Sequence, residues 1–84
     1  MFQIEITETA KDFLKKLQKK DAEIILNKIY SIRENPYRFL KRLKGEKLWR
    51  LRIGDYRALY VIIDRKKIVL VTKIDHRKHV YDRL

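Results

Sequence analysis

The chain has 84 residues, with 22 Lys and Arg against 11 Asp and Glu, and a formal net charge of +11. This length allows one small domain, residues 1–84, and excludes two, and the absence of cysteine excludes disulfides and thiolate metal sites. No apolar run approaches the length of a membrane span and no signal-peptide region opens the chain, so we expect a cytoplasmic protein that does not contact the membrane.

The positive charge is concentrated in the second half of the chain. Residues 1–37 carry seven basic and six acidic side chains, whereas residues 38–84 carry fifteen and five. A basic surface on one side of a small domain indicates a polyanionic partner, most simply nucleic acid, or an acidic protein. The alternative is a lysine-rich surface that favours solubility or heat tolerance, but that reading expects balanced charge.

The first 36 residues predict one strand and two helices. Alternation of apolar residues from Phe2 to Ile6 predicts a half-buried strand, and Thr7 is suited to cap the helix that follows. That helix places Lys19 and Lys20 in its last turn, and Asp21 is predicted to cap a second helix. The second helix is expected to end at Asn35-Pro36 and to pack antiparallel to the first.

The segment Leu48–Tyr60 predicts a β-hairpin. Alternation places Trp49, Leu51 and Ile53 on one face of its first strand and Arg50 and Arg52 on the other. Gly54-Asp55 forms the turn, and Arg57 lies near the start of the second strand. Trp49 is expected to belong to the core.

The strand after the turn is expected to run over 56–63 and is followed by a turn at 64–67 and a further strand over 68–74. The whole pattern is β-αα-βββ, an α+β fold with two antiparallel helices packed on one face of a mainly antiparallel, twisted sheet. The arginines of the hairpin are then expected on the opposite face.

The residues left for chemistry form a set suited to phosphate. No metal-site spacing or glycine-rich phosphate loop is present, so we expect no metal and no cofactor. Guanidinium groups bind phosphate oxygens bidentately, tyrosine stacks on unpaired bases and histidine transfers protons near neutrality. The candidates are Arg50, Arg52, Arg57, His76, Arg77, Lys78, His79 and Tyr81.

Each candidate also has an ordinary structural explanation. Some arginines could simply pair with Asp55, Asp64 or Glu46 at the surface, where such pairs contribute little. The two histidines could be surface residues without a catalytic role. Composition and spacing therefore indicate a basic α+β module for an anionic partner and leave enzyme and binding protein as alternatives.

The segment LKGEKLWRLRIGDYRALYVIIDRKKIVLVTKIDHRKHVYDRL resembles the C-terminal half of RelE/ParE-superfamily toxins of type II toxin–antitoxin modules. The similarity extends to the N-terminal half, where a strand ending at Thr7 precedes the apolar helical stripe that begins at Ala10. The resemblance implies a RelE-like fold over residues 1–84.

In the RelE branch, the resemblance implies a metal-independent endoribonuclease that cleaves mRNA in the ribosomal A site. The 2′-hydroxyl attacks the adjacent phosphate and translation is inhibited. Arg57 would stabilise the transition-state phosphate, Arg77 would assist the leaving 5′-oxygen, and Tyr81 would orient a base. Arg50 and Arg52 would hold the RNA backbone. Lys78 and His76 are added as phosphate-binding candidates on the chemistry of their side chains alone.

The resemblance also implies a cognate RelB-like antitoxin, with operator DNA bound only by the toxin–antitoxin complex. The proton acceptor is open, because arginine is a poor general base: it is His79, His76 or Glu46, or else the mechanism relies mainly on charge. Two other functions are open on the same fold, a ParE-like inhibitor of DNA gyrase and a non-catalytic basic nucleic-acid-binding module.

Overall fold

The computed structural model describes residues 1–43 and 47–76. The first half forms strand β1 (Gln3–Ile6) and helices α1 (Glu8–Lys15), α2 (Lys19–Ser31) and α3 (Pro36–Phe39). The second half forms strands β2 (Lys41–Arg42), β3 (Trp49–Ile53), β4 (Tyr56–Ile63) and β5 (Ile68–His76). A 3₁₀ turn, Asp64–Lys66, joins β4 to β5.

The five strands form one sheet in the order β1-β5-β4-β3-β2. The β1–β5 pair is parallel, and the β2–β3, β3–β4 and β4–β5 pairs are antiparallel. The predicted α+β class is confirmed, with the strand over 56–63 as expected. The sequence pattern did not predict β2, because two residues are too few to show alternation.

The core lies between the sheet and the two long helices. Ala10 and Leu14 of α1 and Ile25 and Ile29 of α2 pack against the buried side chains of the central strands. The innermost residues of those strands, which are completely buried, are Ala58, Tyr60, Val69 and Val71. The other side of the sheet carries no helix among the described residues, and we call it the open face.

The predicted cap of α1 is confirmed, and the predicted cap of α2 is wrong. The backbone N–H of Ala10 donates to Oγ1 of Thr7 at 3.3 Å. Gln18, with extended backbone, is the N-cap of α2, so Asp21 lies in the first turn rather than before it. Lysine is a good helix former, and Lys19 and Lys20 therefore begin the second helix instead of ending the first.

Helix α2 also ends earlier than the proline signal suggested. Its last residue is Ser31, and a turn leads to Asn35. Pro36 then occupies the first position of α3, where its missing N–H has no helical partner to lose. The proline thus starts a short helix, and it does not mark the end of α2.

A bulge in β5 decides which side chains reach the open face. Leu59 is paired with Lys73 and Tyr60 with Val71, so that Thr72 is an extra residue in the ladder. The Thr72 hydroxyl donates to the Leu59 carbonyl at 3.3 Å. Because of this extra residue, Val71 and Ile74 are both buried although they are three positions apart.

Candidate nucleic-acid interface

Strand β3 presents its arginines to the open face, as alternation predicted. Leu51 and Ile53 are buried against the helices, whereas Arg52 is exposed and Arg50 is half-buried. The sheet holds the backbone of a strand in place and fixes the face to which each side chain points. The two arginine side chains therefore start from fixed positions on the open face.

Arg52, Arg57 and Asp75 form a row across three strands of the open face. In the sheet register Arg52 is directly opposite Arg57, and Arg57 is directly opposite Asp75. Directly opposite residues have Cβ atoms about 4.5–5.5 Å apart, and like charges in that relation destabilise a sheet. Two cations at this spacing suit an anionic ligand, and the Asp75 carboxylate opposite Arg57 offsets part of their charge.

A second row lies one step along the same strands. Lys41 of β2 is opposite Arg50, Arg50 is opposite Leu59, and Leu59 is opposite Lys73. Sequence reasoning missed Lys41 and Lys73. Lys41 belongs to a strand too short to recognise, and Lys73 reaches the open face only because of the bulge at Thr72. Cations from four adjacent strands thus lie on the open face, three strands with accessible side chains and β4 with the buried Arg57.

Arg57 is buried, with 2% of its surface exposed, although it belongs to the open face. Its Nη1 donates to the backbone carbonyl of Tyr56 at 3.1 Å. Burial fixes the position of the guanidinium and lowers the local dielectric, which strengthens its interaction with any anion that reaches it. A phosphate can contact this group only when the atoms that cover it move.

His76 lies on the other side of the sheet from the arginines. It is opposite Tyr56, and their rings are 5.7 Å apart in edge-to-face geometry. Tyr56 in turn packs edge-to-face on Phe13 of α1 at 5.9 Å. The backbone N–H of His76 donates to the Asp75 carboxylate at 2.7 Å. The structure therefore brings Arg50, Arg52 and Arg57 together and places His76 apart from them.

The remaining candidates lie outside the described residues. These are Glu46, Arg77, Lys78, His79 and Tyr81.

Trp49 is half-buried and packs against the core, which agrees with the prediction. Its ring also contacts Tyr37 and the guanidinium of Arg42, whose Cζ is 6.0 Å from the ring centroid. Asp64 pairs with Lys67 at 3.7 Å and accepts a hydrogen bond from the Tyr37 hydroxyl at 2.9 Å.

A groove of about 660 Å³ runs between α2 and the end of β3. Arg52 lines it together with Ile24 and Lys28, so this arginine borders both the open face and the helix side. Over residues 1–43 and 47–76, no cluster of three or more His, Cys, Asp or Glu residues could hold a metal ion. In the same ranges, none of the helices has the length and apolar character needed to cross a membrane.

Comparison with known proteins places this geometry in a family. The model of the ParE toxin of the type II toxin–antitoxin system parDE matches residues 4–81. A protein of Methanocaldococcus jannaschii that is named putative toxin RelE1 is 32% identical to this chain over 85 residues. The alignment covers 95% of this chain and 94% of that protein.

Solved structures show the same similarity. The toxin–antitoxin complex RelBE2 of Mycobacterium tuberculosis contains a chain of 29% identity that aligns with a TM-score of 0.82, covering 90% of this chain and 98% of that one. The intact RelBE toxin–antitoxin complex of E. coli gives 25% identity and a TM-score of 0.74, covering 90% and 96%. The RelE-like fold predicted from the sequence is confirmed.

Proposed function

Because this chain belongs to the RelE/ParE family of toxins from type II toxin–antitoxin systems, we propose that it is a ribosome-dependent mRNA endoribonuclease that inhibits translation in the cytoplasm. The observation that carries the proposal is the row in which Arg52 lies opposite Arg57 and Arg57 opposite Asp75. Guanidinium groups match the geometry of phosphate oxygens, and a fixed pair of them can bind a phosphate that gains charge during the reaction.

The proposed reaction uses the nucleophile that RNA carries. The 2′-hydroxyl gives its proton to an acceptor and its oxygen attacks the adjacent phosphorus. The bond from phosphorus to the 5′-oxygen breaks, and this oxygen takes a proton from solvent. The products are a 2′,3′-cyclic phosphate and a 5′-hydroxyl. Arg57 stabilises the additional negative charge of the transition state, and Arg50 and Arg52 bind the flanking backbone. Arg77 donates a hydrogen bond to the leaving oxygen, Tyr81 stacks on a base, and Lys78 adds a phosphate contact.

The 2′-hydroxyl proton needs an acceptor near this row. Arginine is a poor base, and the ring of His76 lies on the helix side of the sheet beside Tyr56. We propose His79 as the acceptor, with Glu46 as the second candidate. If both His79→Ala and Glu46→Gln retain full cleavage rates, the reaction proceeds by charge stabilisation without either base.

The proposed protein partner is a RelB-like antitoxin. The similar structures from M. tuberculosis and E. coli are toxin–antitoxin complexes, and a chain with a net charge of +11 is complementary to an acidic partner. We propose that the antitoxin covers the open face and that only the complex binds operator DNA.

A second function is favoured by a separate observation. The family model that matches residues 4–81 is that of ParE, and a ParE-like chain would inhibit DNA gyrase without cutting RNA. The basic open face can also serve a non-catalytic binding module.

One experiment separates these functions. The toxin is added to a cell-free translation system and the 5′ ends of the mRNA are mapped, with DNA supercoiling by gyrase measured in parallel. Codon-positioned cuts that Arg57→Ala abolishes and Arg65→Ala leaves intact support the endoribonuclease. Blocked supercoiling with intact mRNA supports the gyrase inhibitor, and neither effect supports the binding module.

A further inference from the structure

Three aromatic rings form a row at the end of the sheet that carries α3. The Tyr37 ring lies in the middle, with its centroid 6.1 Å from that of Phe2 and 5.4 Å from that of Trp49. Both contacts are edge-to-face. We call Phe2, Tyr37 and Trp49 the aromatic row.

A cation lies over each end of the aromatic row. Nζ of Lys67 is 5.1 Å from the Phe2 centroid, and Cζ of Arg42 is 6.0 Å from the Trp49 centroid. Next to the row on α3, the guanidinium of Arg38 lies 5.6 Å from the ring centroid of Phe39. Cations thus accompany the aromatic rings at both ends of the row and on the adjacent helix.

The central ring is exposed and nevertheless fixed. Tyr37 is 46% exposed, although an aromatic side chain is usually buried when the fold can cover it. Its hydroxyl donates to the carboxylate of Asp64 at 2.9 Å, and the same carboxylate pairs with Lys67. Desolvation and the neighbouring Asp64 carboxylate raise the pKa of Tyr37, so the phenol keeps the proton it donates. A ring held in this way loses little entropy when a flat ligand stacks on it.

We propose that the aromatic row is a second RNA-binding surface, which takes single-stranded RNA by stacking bases on Tyr37 and its neighbours while Lys67 and Arg42 bind the adjoining phosphates. Surfaces that bind single strands combine aromatic side chains with a positively charged path for the backbone, and stacking tolerates any base. The aromatic row offers both components, because each end ring lies next to a cation.

This surface is distinct from the arginines of the open face. Trp49 shares its side of β3 with Leu51 and Ile53, which face the helices, whereas Arg50 and Arg52 face away from them. The inference does not depend on cleavage, because the aromatic row contains no group that the proposed reaction uses. The aromatic row would bind RNA away from the scissile phosphate.

Charge complementarity and ring composition favour RNA over a protein as the occupant. An apolar docking groove for a helix presents mainly aliphatic side chains to the partner's apolar face. Here the exposed member is a tyrosine, and the flanking side chains are cations. A protein that binds at this surface instead is one of the outcomes of the test.

The test uses the full chain and a fluorescent 2′-O-methyl oligouridylate of about twelve nucleotides, within the usual range of site sizes for single strands. This probe keeps its bases and phosphates and lacks the 2′-hydroxyl nucleophile, so binding is measured without cleavage. Anisotropy gives the affinity. Quenching of Trp49, the only tryptophan of the chain, reports whether the probe reaches the aromatic row.

The decisive variant is Tyr37→Leu, which removes the ring and leaves the charge and an apolar side chain in place. We expect its affinity to fall about fivefold or more. Tyr30→Leu is the matched control, since Tyr30 is 40% exposed on α2 outside the row, and its affinity should be unchanged. If both variants melt at the same temperature as the wild-type chain, the fold is intact in each.

A second pair of variants separates stacking geometry from net charge. Lys67→Gln and Lys66→Gln each remove one positive charge from neighbouring positions, but only Lys67 lies over Phe2. We expect the larger loss of affinity and of Trp49 quenching for Lys67→Gln.

The proposal is overturned if Tyr37→Leu and Tyr30→Leu bind the probe equally, or if the wild-type chain binds it without quenching Trp49. If Tyr37→Leu binds the probe as tightly as the wild-type chain but binds the antitoxin more weakly, the aromatic row is a surface for a protein partner and the proposal is overturned. Because the probe cannot be cleaved, its binding is tested separately from catalysis. If Arg57→Ala no longer cleaves mRNA but the probe still quenches Trp49, this proposal stands. If the wild-type chain cleaves mRNA but the probe does not quench Trp49, this proposal is overturned and the proposed endoribonuclease is unaffected.

Discussion

Arg52 and Arg57 lie directly opposite each other on β3 and β4, with both side chains on the open face. Arg52 is exposed, whereas only 2% of the surface of Arg57 is exposed. Like charges placed directly opposite each other disfavour strand pairing, and both guanidinium groups can donate to one phosphate once the atoms over Arg57 move. Removing the exposed one, Arg52, should therefore affect stability and activity in opposite directions.

The first prediction concerns Arg52→Ala. Loss of the exposed cation removes repulsion with Arg57, so the free energy of unfolding should stay the same or rise by about 0.2–1 kcal/mol. Cleavage of mRNA should fall about tenfold or more, because a charge-assisted contact to phosphate is lost. Urea unfolding and mapped mRNA cleavage measure the two quantities. A fall in both would show that Arg52 has a structural role instead.

The second prediction concerns Tyr60→Phe. Tyr60 is completely buried, and among the described residues its hydroxyl has no hydrogen-bond partner. Removing a buried hydroxyl that lacks a partner should leave the free energy of unfolding unchanged or raise it by about 1 kcal/mol. Tyr60→Ala is the contrast, since loss of the ring should cost about 3–5 kcal/mol. Destabilisation by Tyr60→Phe would reveal a partner for the hydroxyl.

The same tyrosine predicts a pH dependence. Burial raises the pKa of Tyr60 above its ordinary value of 10.0, so the folded protein retains a proton that the unfolded chain releases. Its contribution is fully present below that ordinary pKa and is lost above it, at up to about 1.4 kcal/mol per pH unit. Unfolding followed between pH 9 and 11 should show a shallower decline for Tyr60→Phe than for the wild-type chain.

The next prediction concerns the turn between β3 and β4. Gly54 has a φ of +58°, and a Cβ added there would meet no atom within 4 Å. The cost of Gly54→Ala is therefore one of backbone conformation alone, and the unfolding free energy should fall by about 1–2 kcal/mol. Gly54→Asn should cost less, because asparagine tolerates this conformation. Equal costs for the two variants would indicate crowding rather than backbone strain.

The last prediction concerns Thr7, which links α1 to the bulge. Its Oγ1 accepts from the Ala10 N–H and donates to the Thr72 carbonyl at 3.1 Å. Thr7→Ala should lower the unfolding free energy by about 1–2 kcal/mol. Thr7→Ser keeps both hydrogen bonds and should restore most of that loss. Thermal unfolding of the three proteins measures the difference, and a Thr7→Ser variant as unstable as Thr7→Ala would contradict this role.

Local sequence pattern was enough to predict which side chains of β3 face the core. Residues 49–53 alternate strictly between apolar and basic, and a strand turns successive side chains to opposite faces, so Arg50 and Arg52 had to share one surface. The same local rules placed the Thr7 cap and the whole of β4. They failed for the start of α2, because helix propensity extended that helix back through Lys19 and Lys20.

The residues of β5 that join the arginines could not be predicted from the sequence, because their position depends on how β4 and β5 pair. Continued alternation from Val69 and Val71 would place Lys73 and Asp75 in the core and would turn His76 towards the open face. The bulge at Thr72 reverses this: it buries Ile74, brings Lys73 and Asp75 beside the arginines and directs His76 to Tyr56. A bulge arises from how two strands pair across the sheet, and pairing between distant segments leaves no periodic signal in either one.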